Sequence, residues 1–236
     1  MKQSFVACIL ALALSLTPAI AADLPARATS FHKAPDARAI HSWTGFYIGG
    51  NLGYGWSHIK ETSPTLPGVE ISSVGTGILG GGQAGYNWQT GSYVLGVEGD
   101  ISGSSIKGNT SCPLATLDCR HNLTWMTTAR VRGGVLVNAN QTLIYATGGA
   151  AWAHINYKEI VIATGALFNT GLSKTHSGWT VGGGVEQKLT PNLSVKVEYL
   201  YLGLSNASTP AGTLSANAVD INANVQTVRV GLNYHF

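Results

Sequence analysis

The chain is short of charge, of cysteine and, past its first twenty-one residues, of long apolar runs. Only 11% of its 236 residues are Asp, Glu, Lys or Arg, and the formal net charge is +3. That falls to +2 if Lys2 is removed with a leader. No run of Lys or Arg occurs, so binding to nucleic acid is excluded as a reading. Three cysteines are present, Cys8, Cys112 and Cys119, too few for a disulfide scaffold. Beyond the leader no apolar stretch is long enough for a spanning helix. A chain without such a helix can still cross a membrane as a closed β-barrel, in which every backbone polar group is paired.

What the chain does have is glycine, thirty residues of it, and aromatics. It also has a leader. Lys2 gives a positive n-region, Phe5 to Leu16 is apolar, and Ala19-Ile20-Ala21 is a small-residue cleavage pattern. The pattern predicts a signal peptide over residues 1–21. Residues 22–43, with Pro25 and Pro35 around Arg27, His32 and Lys33, read as a flexible periplasmic lead-in. A short peptide that docks on peptidoglycan or a periplasmic partner is the alternative. Residues 44–236 are expected to form one barrel.

The last segment carries the fold signal. Val228, Val230, Leu232, Tyr234 and Phe236 share one face, and Thr227, Arg229, Gly231, Asn233 and His235 the other. A period of two is a strand. One apolar face and one polar face suit a strand between lipid and a polar lumen. Seven further segments alternate in the same way, at about 45–58, 75–89, 92–106, 121–138, 141–157, 175–189 and 193–205. Connections near 90, 140 and 191 are short. Those at 59–74, 107–120, 158–174 and 206–222 are long. The expected fold is all-β: an eight-stranded antiparallel transmembrane β-barrel with short periplasmic turns, four long external loops and both termini in the periplasm.

Alternation assigns Glu98, Asp100, Glu186 and Glu198, with Arg130, Arg132, Lys188, Lys196 and Arg229, to the inner face. Nearly all lie at a similar distance from a short turn or from the C-terminus, so a charge belt across the lumen is expected. It would serve as a salt-bridged plug or as an ion-selecting constriction. An eight-stranded barrel is just wide enough for side chains to fill, which favours the plug. Inward glycines at 49, 53, 55, 148 and 182 leave room for voids beside it. The same alternation turns Leu123, Leu143, Tyr145, Ile155 and Tyr157 outward and His154 and His176 inward. Those two histidines are the candidate haem or metal ligands at the external mouth, with His58 and His121 facing lipid or the rim. Cys112 and Cys119, both in the second long loop of an exported chain, are expected to form a disulfide.

No His-x-Ser lies on one lipid-facing strand face, so no catalytic residue is assigned. No cofactor is implied.

Trp43-Thr44-Gly45-Phe46-Tyr47-Ile48-Gly49-Gly50-Asn51-Leu52-Gly53-Tyr54-Gly55-Trp56 resembles the first strand of the outer-membrane immunogenic proteins, also called the RopB-type porin family. Ala22 to Arg27, Ala129 to Gly134, Tyr145 to Trp152 and Gly178 to Glu186 are similar to segments of the same family. The resemblance implies an outer-membrane surface antigen that supports envelope integrity, with porin activity or haem binding in some relatives. A terminal strand ending in Tyr234 and Phe236 resembles the signal that such barrels offer to the barrel assembly machinery. The partners expected are therefore outer-membrane lipid, that machinery, and peptidoglycan or a host surface at the loops.

Overall fold

The computed structural model describes residues 42–62, 70–111, 117–161, 163–164, 172–209 and 219–236. Eight strands run in chain order: β1 Gly45–Thr62, β2 Glu70–Thr90, β3 Tyr93–Ser111, β4 Leu117–Val137, β5 Thr142–Val161, β6 Leu172–Lys188, β7 Leu193–Thr209 and β8 Val219–His235. Each pairs antiparallel with the next, and β8 closes on β1 from Tyr47↔His235 to Thr62↔Asp220. Closure removes every sheet edge.

The strands are 17 to 21 residues long. About ten suffice to cross a hydrocarbon layer. Pairing therefore continues well into segments that alternation alone assigned to loops. Three short turns (β2–β3, β4–β5 and β6–β7) share one end of the barrel with the start of β1 and the end of β8. The four longer connections share the other. Gly91, at φ 60°, makes the two-residue β2–β3 turn. Asn138, Ala139 and Asn140 make the β4–β5 turn at φ 51°, 54° and 66°.

The outer wall is apolar. Phe46, Leu52, Ile78, Leu95, Val131 and Phe236 are each between 63% and 71% exposed. A continuous apolar wall of this extent is not what water tolerates. Aromatic rings bound it. At the turn end stand Phe46, Tyr86, Trp88, Tyr93, Tyr234 and Phe236, with Tyr86 centred 4.6 Å from both Phe46 and Trp88. At the loop end stand Tyr54, Trp56, Trp125, Trp152, Trp179 and Tyr201. Phe46 and Trp56 are ten residues apart on β1. At ordinary rise and tilt that is about 25 Å along the axis, the height of an outer-membrane barrel's apolar band.

β4 breaks its own alternation. Its register with β5 slips between Leu123 and Trp125, and the β3 register slips opposite, between Gly103 and Ile106. One extra residue at a bulge flips everything beyond it to the other face. Leu123 and His121 therefore point inward, contrary to the simple alternation, while Arg130 and Arg132 remain inward on the other side of the bulge.

Candidate functional site

The interior is stacked in three tiers. Nearest the turns lies an apolar cluster of Trp43, Val94, Leu136, Leu143 and Tyr145. Trp43, the last residue of the segment read as lead-in, is fully buried; its Nε1 donates to the Asn140 carbonyl at 2.8 Å. Leu143 and Tyr145 face inward, not outward as expected, and so do Ile155 and Tyr157. β5 keeps one phase throughout and carries Leu143, Tyr145, Ala151, Ala153, Ile155 and Tyr157 on its inner face. Alternation gives the phase only up to a choice of side, and β5 has large apolar groups on both sides.

The middle tier is the charge network. Arg130 pairs with Glu98 through Nη2, with Asp100 at 3.2 Å and with Glu198 at 3.0 Å. Arg132 reaches Glu186 at 2.7 Å and Glu98 at 3.4 Å. Its guanidinium lies 4.7 Å from the Tyr145 ring centre and 5.2 Å from that of Tyr47. Lys196 Nζ donates to both Glu98 oxygens at 2.9 Å. Arg229 holds Asp100 at 2.8 Å. Hydroxyls and amides occupy further lone pairs. Tyr47 donates to Glu98 at 2.7 Å and Tyr145 to Glu198 at 2.9 Å. Thr128 donates to Asp100. Ser194 at 2.5 Å and Asn233 at 2.8 Å donate to Glu186, with His235 3.5 Å away.

Four carboxylates thus meet four cations, all within a few per cent of full burial. Burying such charges is unfavourable unless each is paired and hydrogen-bonded, and these are held by ionic partners with hydroxyls and amides filling in around them. Of the charged residues assigned to the belt, Lys188 lies elsewhere. It sits at the turn end, donates to the carbonyls of Ser42 at 2.7 Å and Pro191 at 2.9 Å, and lies 5.2 Å from the Trp43 ring centre. It is two residues nearer the turn than Glu186, which puts it outside the network.

The third tier is apolar again. It contains Ile59, Leu79, Ile106, Leu123, Met126, Ala151, Ala153, Ile155, Tyr157, Leu200, Leu202, Leu204, Ala223 and Val225. Sequence reasoning missed it. The signal was available in Leu200-Tyr201-Leu202-Gly203-Leu204, an almost unbroken apolar run of the kind that marks a strand buried on both faces.

The inward glycines are filled against, not void. A Cβ at Gly49 would lie 2.1 Å from Asn233 Oδ1, at Gly53 2.4 Å from the Val228 carbonyl, at Gly55 2.6 Å from Ile106, and at Gly182 2.1 Å from the Tyr199 carbonyl. They are the places where neighbouring strands and side chains come closest. Gly148 follows the outward phase of β5.

The two candidate ligand histidines are not brought together. His176 is buried, and its Nε2 lies 3.1 Å from Tyr157 Oη. His154 faces out, stacked on Trp125 at 5.6 Å with a 3° interplanar angle, its Nδ1 3.0 Å from Thr175 Oγ1. They lie on opposite sides of the wall, so they cannot share an iron or a metal ion. His121, assigned to lipid or rim, is buried between Ser57 at 3.4 Å and Ser73 at 3.3 Å. Cys112 and the side chain of Cys119 lie outside the described residues, as do the leader and residues 22–41. Tyr234 and Phe236 both face out with ring centres 5.3 Å apart, and the Phe236 amide donates to the Phe46 carbonyl at 3.0 Å.

Comparison with known proteins agrees with this architecture. Residues 9–236 match the family model described as outer membrane protein beta-barrel domain. The chain is 35% identical over 237 residues to the 31 kDa outer-membrane immunogenic protein of Brucella melitensis, covering 95% of this chain and 96% of that one. It is 34% identical over 200 residues to the 25 kDa outer-membrane immunogenic protein of Brucella canis, covering 83% and 80%. Over 160 residues it is 31% identical to a 22 kDa outer membrane protein of Rhizobium leguminosarum, covering 68% and 64%. Among solved structures, the outer membrane protein OprG of Pseudomonas aeruginosa shares the fold with a TM-score of 0.55 at 13% identity, over 84% of this chain and 99% of that one.

Proposed function

This chain belongs to the outer-membrane immunogenic protein family of outer-membrane β-barrels, and from that premise we propose that it is a sealed barrel that anchors surface loops and supports envelope integrity. The observation that carries the reading is the filled lumen: four carboxylates against four cations, held between two apolar tiers. A small porin is the competing reading. An ion-selecting constriction works by an unbalanced field facing water. Here the charges are matched one against another and face side chains.

In this reading the turn end and both termini lie in the periplasm. Residues 1–21 are a leader cleaved after Ala21, and the stretch before Trp43 trails into the periplasm, where it can meet peptidoglycan. Tyr234 and Phe236 present the assembly signal to the barrel assembly machinery. The loop ends meet the surroundings of the cell, a host surface included, and a Cys112–Cys119 disulfide closes the second of them.

Liposomes carrying the folded barrel test the seal. They are expected to keep their volume when diluted into solutions of small sugars, as protein-free liposomes do. Swelling at a rate that scales with the amount of folded barrel would establish the porin reading instead.

A further inference from the structure

In and beside the charged tier lie buried polar atoms that its ion pairs do not reach. Among the described residues, both polar atoms of the Asn87 amide, Arg132 Nε, Glu198 Oε2, Arg229 Nε and Thr227 Oγ1 are buried without a hydrogen-bond partner. Asn87 and Thr227 are fully buried, and the three charged residues are within 3% of it. A bare buried donor or acceptor is destabilising, and native interiors pair nearly all such groups with protein or with ordered water.

The strand register gathers these atoms into two groups. On the turn side, Asn87 lies opposite Gly96, and Gly96 opposite Arg132, in one row across β2, β3 and β4. Gly96 has no side chain to separate its neighbours. A Cβ there would lie 2.5 Å from Asn87 Oδ1 and 3.2 Å from Arg132 Cγ. The amide oxygen and the guanidinium therefore approach each other over a bare Cα, an acceptor facing a donor. On the loop side, Glu198 on β7 lies directly opposite Arg229 on β8, which sets their Cβ atoms about 5 Å apart. Both direct their bonds elsewhere. Glu198 Oε1 accepts from Arg130 at 3.0 Å and from Tyr145 at 2.9 Å. Arg229 Nη1 donates to Asp100 at 2.8 Å, and its Nη2 to Met126 Sδ at 3.2 Å. An acceptor, Oε2, and a donor, Nε, are left over on facing residues. Thr227, the next inward residue on β8, adds a hydroxyl that can donate or accept.

A ligand for these groups has to be small, neutral, and able to donate and accept at once. The four carboxylates and four cations already balance, so an added ion would be buried without a counter-charge. Water meets all three conditions and needs two to four polar partners. We propose that the charged tier holds two ordered waters, one bridging the Asn87 amide to Arg132 Nε and one bridging Arg229 Nε to Glu198 Oε2 and Thr227 Oγ1. The tier is then a hydrated layer between two dry ones. Bulk water stays excluded, because apolar side chains fill the lumen on both sides of it.

A crystal structure of the folded barrel, at a resolution that places single waters, tests this directly. One water is expected within about 3 Å of the Asn87 amide and Arg132 Nε, and a second within about 3 Å of Glu198 Oε2 and Arg229 Nε. A tier that is well resolved and dry at both places overturns the proposal. So does direct pairing of Glu198 with Arg229 and of Asn87 with Arg132. Urea titration in detergent gives an independent reading through Thr227→Val, which keeps the side-chain shape and removes the hydroxyl. With a water held there, the variant loses a hydrogen bond, and the midpoint should fall by about 0.5 M. With the hydroxyl bare, its removal relieves an unpaired buried group. An unchanged or raised midpoint therefore overturns the loop-side water.

Discussion

In its middle tier, the lumen is filled by eight charged side chains bonded to one another; toward the loops, it is filled by a larger set of mostly aliphatic ones. Both tiers exclude bulk water from the same narrow tube. They do so at different cost. The charged tier is specific, because each carboxylate is held by two or more named donors and misplacing one leaves buried charge unmatched. The apolar tier is non-directional, and its stability follows the volume that it fills. Two residues along a strand separate them: Glu198 is in one tier and Leu200 in the other. This interior is therefore a core, with a charged layer held between a small apolar layer at the turns and a larger one toward the loops.

The difference can be broken at single positions. Glu98→Ala should have the largest effect, since Glu98 alone bonds to Arg130, Arg132, Lys196 and Tyr47. Removing one partner of a buried ion network costs about 3–5 kcal/mol. Urea titration of the folded barrel in detergent should show that loss. Leu200→Ala, in the upper tier, should cost about 3 kcal/mol in the same assay, and Leu200→Met should restore most of it. The contrast in specificity predicts the reverse for the network: Glu98→Gln keeps the shape and still loses most of the stability.

A double-mutant cycle sharpens the contrast. Glu98→Ala and Arg130→Ala touch one network, so their losses should fall well short of adding. Glu186→Ala and Leu123→Ala lie in different tiers and share no partner, so theirs should add to within about 0.5 kcal/mol. Strong coupling in that second pair would mean that the tiers behave as one unit. The smallest effect expected is that of His154→Ala, which removes an outward stack on Trp125 worth about 1 kcal/mol or less. Haem or zinc titration should be the same for that variant as for the unaltered chain.

How much of this is legible in the chain varies with the strand. β8 and β3 alternate cleanly, small or polar against large apolar, so the inward phase of Arg229, Glu98 and Asp100 can be read from sequence alone. The barrel, its strand number and its connectivity follow from eight such segments. β5 defeats the same reasoning because both its faces are apolar, and a period of two cannot say which face is inside. β4 defeats it differently. Its bulge at Leu123–Trp125 changes phase without a glycine or proline to mark it, and so alternation sends His121 to the wrong side. Lys188 has the expected phase but a different depth. One step down the strand exchanges Arg132 and Glu98 for Trp43 and two carbonyl oxygens.

The central claim is that three filled tiers stand in series, and planar-bilayer conductance across a set of variants tests it most directly. The folded wild-type barrel should be silent. A barrel whose network is emptied (Glu98→Ala, Arg130→Ala) should stay silent if it folds, because the apolar tier still blocks the axis. One whose upper tier is thinned (Met126→Ala, Leu200→Ala) should also stay silent. Only the combined variant with the turn-end tier thinned as well (Leu143→Ala) should show reproducible steps. Steady conductance from the wild-type barrel, or from the network variant alone, would contradict the account and make the charged tier the gate of a pore.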